Sequence, residues 1–331
     1  MTNEEYKELN GYLNDIFLKL EQKDYFFIGN IEIFQYLSNR YCEVIEKYDL
    51  PKVKNDKYLS FDEVYKLARE VIESINPNYL ETFDKLIETG ELDFDYEDNY
   101  EESNMYFEMN KERKLKLINI KRTYNYEEVK ILVHEFIHYT HTDIDTIKKH
   151  VLTEALAISG ELYAEDYLID KGINRDEVNS TNRLQSTYER CCEFSWIMDA
   201  LIVYKNIGNL DSTSSDFARE YIMDIENEEL ESQYKNLLKT IRNYDNKEEI
   251  YKFVENYYRY LFGTLIGFYT KNHIDKKDFS YLNDHINDDN ELFVIDILQK
   301  IGIDLEDDEV IDEIYNDIGN YISNLNYKVI K

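Results

Sequence analysis

The chain has 331 residues, enough to bury a full core without disulfide or metal staples. Its 69 acidic against 38 basic residues give a net charge of −31 and a pI near 4.5. Such a surface repels nucleic-acid phosphate and anionic membrane, so neither is an expected partner.

The opening "MTNEEYKELN" is acidic where a signal peptide is basic, and no apolar run reaches membrane-spanning length. Three cysteines, Cys42 and the adjacent Cys191 and Cys192, make neither a disulfide framework nor a CxxC metal knuckle. They read as ordinary thiols of a reducing compartment, and the sequence predicts a cytoplasmic protein. With two prolines and ten glycines, and with apolar residues recurring every three or four positions, the chain reads as mainly helical. "SFDEVYKLAREVIESI" opens on a capping serine, Ser60, with an acidic first turn. "NPNYLETFDKLIETG" closes on a glycine suited to a helix end. The acidic run at residues 91–104 and the small polar run at 210–216 break the periodicity and read as loops. "NMYFEMN" and "RKLKLINI", on either side of "NKE", alternate with period two and predict a hairpin or two neighbouring strands. Asn125, with Glu128 three residues on, then makes a capping arrangement for a helix through "YEEVKILVHEFIHYTH".

On that helix His134 and His138 are four residues apart, one above the other on one face, where they can share a metal. With Glu135 between them they form HExxH, the pattern in which two histidines bind zinc and the glutamate works on the attacking water. A catalytic zinc needs a third protein ligand. No HxxGxxH extension follows. Instead "LTEALAISGELYAEDYLID" carries Glu154 and Glu161 seven apart on one face, flanked by Ala155, Ala157, Ser159 and Gly160, which permit close helix packing. Glu154, read as lying in the first turn, is the ligand candidate. Glu161 is placed to orient a ligating histidine.

"HEFIHYTH" followed by "TEALAISGELYAEDYLI" resembles the thimet oligopeptidase and oligoendopeptidase F family of zinc metallopeptidases, with its HExGHxxH motif and a glutamate in E-x(6)-E. "YLSFDEVYKLAREVIESINPNYLETFDKLIE", "INIKRTYNYEEVKILVHEF", "YYRYLFGTLIG" and "DILQKIGIDLEDDEVIDEIYNDIGNYI" are similar to other family segments, from about residue 48 onward. The resemblance implies a mainly α, zincin-like catalytic domain with a small sheet beside the active-site helix. One zinc ion would be held by His134, His138 and Glu154, with Glu135 as general base and acid. His141 takes a supporting role, either hydrogen-bonding or substrate-contacting. The family's tyrosine-rich helix supplies the oxyanion donor, which points to Tyr257 and Tyr260, with Tyr258 in reserve. The expected partner is a peptide, added along "NMYFEMN".

On this reading residues 1–331 are one catalytic domain. It comprises an N-terminal helical part (1–103), a small sheet (104–121), the zinc-binding helices (122–170) and a C-terminal helical part (171–331). Two departures stand out: Ile137 occupies the family's glycine position, and most of the family's N-terminal lobe has no counterpart. They motivate two alternatives to an oligopeptide-cleaving endopeptidase, a catalytically silent peptide-binding protein and a protease specific for one protein partner.

Overall fold

Helix ends in this chain are set by a few polar caps. In the computed structural model the described residues are 1–23, 31–50, 52–54, 56–95, 103–110, 113–141, 150–210, 227–243, 247–273, 298–299 and 302–325. In chain order their helices and strands are α1 (Asn3–Lys23), α2 (Ile31–Ile45), α3 (Phe61–Ile75), α4 (Leu80–Thr89), β1 (Leu92–Asp95), β2 (Asn104–Asn110), β3 (Arg113–Lys121), α5 (Tyr126–His141), α6 (His150–Asp170), α7 (Arg175–Val178), α8 (Thr181–Ile207), α9 (Asn227–Asn243), α10 (Lys247–His273) and α11 (Asp308–Asn324). At the start of α3, Glu63 Oε2 accepts from Ser60 N at 2.9 Å while Ser60 Oγ accepts from Glu63 N, the reciprocal cap that residue 60 predicts. Helix α4, preceded by a 3-10 turn at Pro77–Tyr79, ends on Gly90 with φ of 72°, a left-handed turn that suits glycine.

The chain falls into two units. One comprises Met1–Glu46 and Thr187–Leu261, and the other Lys47–Ser186 and Phe262–Lys331. The first is wholly helical among its described residues. Leu9 and Leu13 of α1, Phe34 and Leu37 of α2, Leu201 of α8, Leu237 of α9 and Tyr258 of α10 are all buried there. Its three cysteines are unbridged: Cys191 is buried, and Cys42 hydrogen-bonds with Cys191 and Cys192.

The second unit carries a three-stranded sheet of order β1-β3-β2. β2 runs antiparallel to β3 from Asn104↔Asn119 to Asn110↔Arg113, which is the hairpin that the alternation predicts. β1 runs parallel to β3, from Leu92↔Ile118 to Asp95↔Lys121, and corrects the reading of residues 91–104 as loop. Asp93 is exposed while Phe94 and Asp95 are buried, so a four-residue strand hides inside an acidic run because its pairing comes from β3 rather than from local propensity. Residues 96–102, and those after Leu210 in the second predicted loop, lie outside the described set. Ile118 and Ile120 point inward, and above them α5 packs against β3, α3 and, most extensively, α6. Among the described residues no helix is long and apolar enough to cross a membrane.

Candidate metal centre

The helix that carries HExxH is fixed at its start by a buried carboxylate. Asn125 Oδ1 accepts from Glu127 N at 2.9 Å, as a capping side chain does. Glu128 does not close the box by returning to Asn125. Its Oε2 accepts instead from Thr123 N at 3.0 Å and Tyr124 N at 2.7 Å, and its Oε1 lies 2.5 Å from Arg122 Nε. That grip holds Tyr124 at φ of 58°, unusual for a bulky residue, where its ring stacks on Tyr58 and lies under the Arg122 guanidinium. Helix α5 then runs sixteen residues, with the acidic Glu127 and Glu128 in its first turn, where they suit the helix dipole, and His138 and His141 in its last.

The position of α6 against α5 depends on small residues. A Cβ at Gly160 would stand 3.1 Å from Ile137 Cγ1 and 3.4 Å from Val133 Cγ1, so Ile137 is seated directly on that glycine. The departure from the family-like motif therefore lies in the α5–α6 contact, with its small partner on the facing helix. Gly263 and Gly267 of α10 act likewise. A Cβ at Gly263 would fall 2.6 Å from Glu154 Cγ, and one at Gly267 would fall 2.9 Å from Ile158 Cγ2. Because α6 begins at His150, Glu154 lies in its second turn rather than the first. It is fully buried.

His134, His138 and Glu154 converge. His138 Nε2 is 3.0 Å from His134 Nε2 and 3.3 Å from Glu154 Oε2, and His134 Nε2 is 3.6 Å from Glu154 Oε1. For a tetrahedral ion with bonds of about 2.0–2.1 Å, neighbouring ligand atoms stand about 3.3 Å apart. The two imidazole nitrogens and one Glu154 oxygen lie within 4.8 Å of one another, and their donor type suits zinc. Among the described residues they are the group of His, Cys, Asp or Glu side chains that could hold an ion. Glu135 is on the same helix and buried, near enough to both imidazoles to favour their charged forms.

Behind this triad lies a second layer. His134 Nδ1 is 2.6 Å from Glu161 Oε1, which leaves Nε2 to face His138 and Glu154. Glu161 is in turn gripped by Arg183, through Nη2 to Oε1 at 2.5 Å and Nε to Oε2 at 3.3 Å. Desolvation would raise the Glu161 pKa, but the charges of Arg183 and then His134 prevail and hold it at about 2. His134 is lowered by burial but raised on balance by Glu161 and Glu154, whereas burial dominates at His138 and lowers it. Sequence reasoning missed Arg183 altogether. It missed Gly263 too, although the spacing in "GTLIG" marks a close-packing face.

The remaining predicted residues have partners of their own. His141 is buried with its Nε2 3.2 Å from the Tyr79 hydroxyl, which gives it a hydrogen-bonding partner. Tyr257, Tyr258 and Tyr260 belong to the all-helical unit. Tyr257 is buried near Ser38, Cys42, Cys191 and Asp199; Tyr258 packs on Phe34; Tyr260 is half-buried under Arg190.

No family model matches the sequence, and no curated protein matches it. The fold is similar to a crystal structure named "putative peptidase" from Chlamydophila abortus, at 15% identity and a TM-score of 0.50. The match covers 98% of this chain and 55% of that one, so the chain spans about half the length of that protein. At this identity the likeness shows a shared fold.

Proposed function

We propose that the protein is a zinc-dependent metallopeptidase that hydrolyses peptides in the cytoplasm. The observation that carries this reading is the buried triad of His134, His138 and Glu154, with one ligand atom from each within 4.8 Å of the others and Glu135 on the same helix. The shared fold with a chain named as a peptidase supports it, as does the sequence resemblance to the thimet and oligoendopeptidase F enzymes.

Zinc held by the triad supplies Lewis acidity toward the scissile carbonyl and the attacking water. Glu135 takes the proton from that water and passes it to the departing amine. Glu161 holds His134 in the tautomer whose Nε2 is free to bind the ion. β2 is an edge strand among the described residues, and an extended peptide pairs along it. Ile137 weighs little against activity, because Gly160 accommodates it.

The test is metal analysis of the purified protein together with peptide turnover before and after chelation. One zinc per chain, turnover lost on chelation and restored by zinc are expected. Stoichiometric zinc without turnover of any peptide in a mixed library would support a silent binding protein instead.

A further inference from the structure

We propose that Arg183 is a positioning residue for metal binding, acting through Glu161 to hold His134 with Nε2 toward the ion. The proposal rests on the metallopeptidase reading and extends it to a residue that no motif marks. Glu161 is nearly inaccessible, and an ionised carboxylate there is sustained only by a cation or several donors. Arg183 supplies a two-pronged contact to both carboxylate oxygens. One of those oxygens, Oε1, also faces His134 Nδ1 at 2.6 Å, so the guanidinium, carboxylate and imidazole form one chain ending at the triad.

The other nearby cation, Lys130, is committed elsewhere, to Glu127 at 2.9 Å and to the carbonyl of Asn179 at 3.2 Å. Arg183 itself is anchored at the start of α8, where its backbone N–H donates to Ser180 O at 3.1 Å. The fork is therefore presented from a fixed helix end. Without it, the Glu161 carboxylate loses both its charge partner and the contacts that set its plane. His134 then loses the restraint on its ring.

The experiment is zinc affinity of the full chain by chelator competition, for wild type, Arg183→Met, Arg183→Lys, Glu161→Gln and the Arg183→Met/Glu161→Gln double variant. Far-UV circular dichroism checks the fold of each. Disrupting an outer partner of a ligating histidine weakens binding about 10- to 100-fold, and that loss is expected for Arg183→Met. Arg183→Lys keeps the charge but not the fork and is expected to lie between the two. It carries the test if Arg183→Met does not fold. In the Glu161→Gln background the Arg183 substitution should cost less than about 3-fold, because the pair acts as one unit. The absorption of the cobalt-loaded protein should also change in Arg183→Met, since it reports ligand geometry. Wild-type affinity in both Arg183 variants, or equal losses in both backgrounds, would overturn the proposal while leaving the metal site intact. A wild-type chain that takes up no stoichiometric zinc would overturn the metallopeptidase reading itself, and this proposal with it.

Discussion

Glu161 and Asp199 are buried carboxyls in different units, each 3% exposed, yet their pKa values shift in opposite directions. Glu161 faces Arg183 and His134 and is held down at about 2. Asp199 accepts from the neutral Gln35 amide at 2.8 Å, and desolvation, only partly offset by that bond, raises it to about 7. Depth is the same, so for this pair the difference comes from the partner: the Arg183 guanidinium holds Glu161 down, and the Gln35 amide does not do so for Asp199. Within the sheet-bearing unit Glu128 beside Arg122 and Glu165 near Lys130 are both raised by burial, so Glu161 is held down by its own contacts. The all-helical unit keeps neutral hydrogen-bonding groups, with Ser38, Tyr234 and Tyr257 also buried there.

The contrast breaks if the chemistry does not depend on the charged cluster. Glu135→Gln should lower peptide turnover about 100- to 10,000-fold, the range for loss of a general base, with zinc content unchanged. Turnover at the wild-type rate, measured on a fluorogenic peptide, would remove the catalytic assignment from α5.

Asp199 offers the complementary test. Between the unfolded pKa near 3.8 and the folded value of about 7, the folded chain keeps a proton that the unfolded chain has lost. Stability therefore falls as pH rises through that window, by up to about 4 kcal/mol at about 1.4 kcal/mol per pKa unit, and levels off above it. Asp199→Asn should abolish this contribution. Denaturant titrations at several pH values between 4.5 and 8, followed through the single tryptophan, Trp196, would show it as a flatter profile in the variant.

The two close-packed glycines of α10 separate ligand from packing within one helix. Gly263→Ala presses on Glu154, so it should weaken zinc binding as well as cost about 1–3 kcal/mol of stability. Gly267→Ala presses on Ile158 and the Ala155 carbonyl, so it should cost similar stability with a smaller effect on zinc. Equal effects on zinc would mean that α10 positions α6 as a whole rather than Glu154 in particular.

What the sequence reveals of the site follows from locality. His134, Glu135 and His138 are legible because one helix turn makes spacing equivalent to proximity, and Glu154 with Glu161 because two turns of α6 do the same. Arg183 is twenty-two residues beyond Glu161, past the turn at Asn174 and the short α7, and only the folded chain brings it back. β1 is illegible for a related reason: its acidic alternation looks solvated until β3 supplies the pairing. Glu128 shows a third kind of miss. Its spacing from Asn125 satisfies a capping box, but the left-handed turn at Tyr124 presents two other N–H groups that it takes instead.

The smallest effect expected is at Ser60, and it sets the scale for the others. Ser60→Ala removes the hydroxyl that accepts from Glu63 N and leaves Glu63 with half of a reciprocal cap, for a loss of about 1 kcal/mol. Helix α3 packs against α5, so the substitution loosens the same unit that holds the triad without touching a ligand or its supports. If the centre is fixed by its own chain of contacts, from Arg183 to Glu161 to His134, a stability loss of this size should leave zinc affinity unchanged. Unfolding midpoints measured with and without zinc would then shift by the same amount. A fall in affinity that tracks the loss in stability would mean that the metal centre draws its geometry from the whole unit. The difference between the two buried carboxyls would then belong to the units that enclose them, not to their immediate partners.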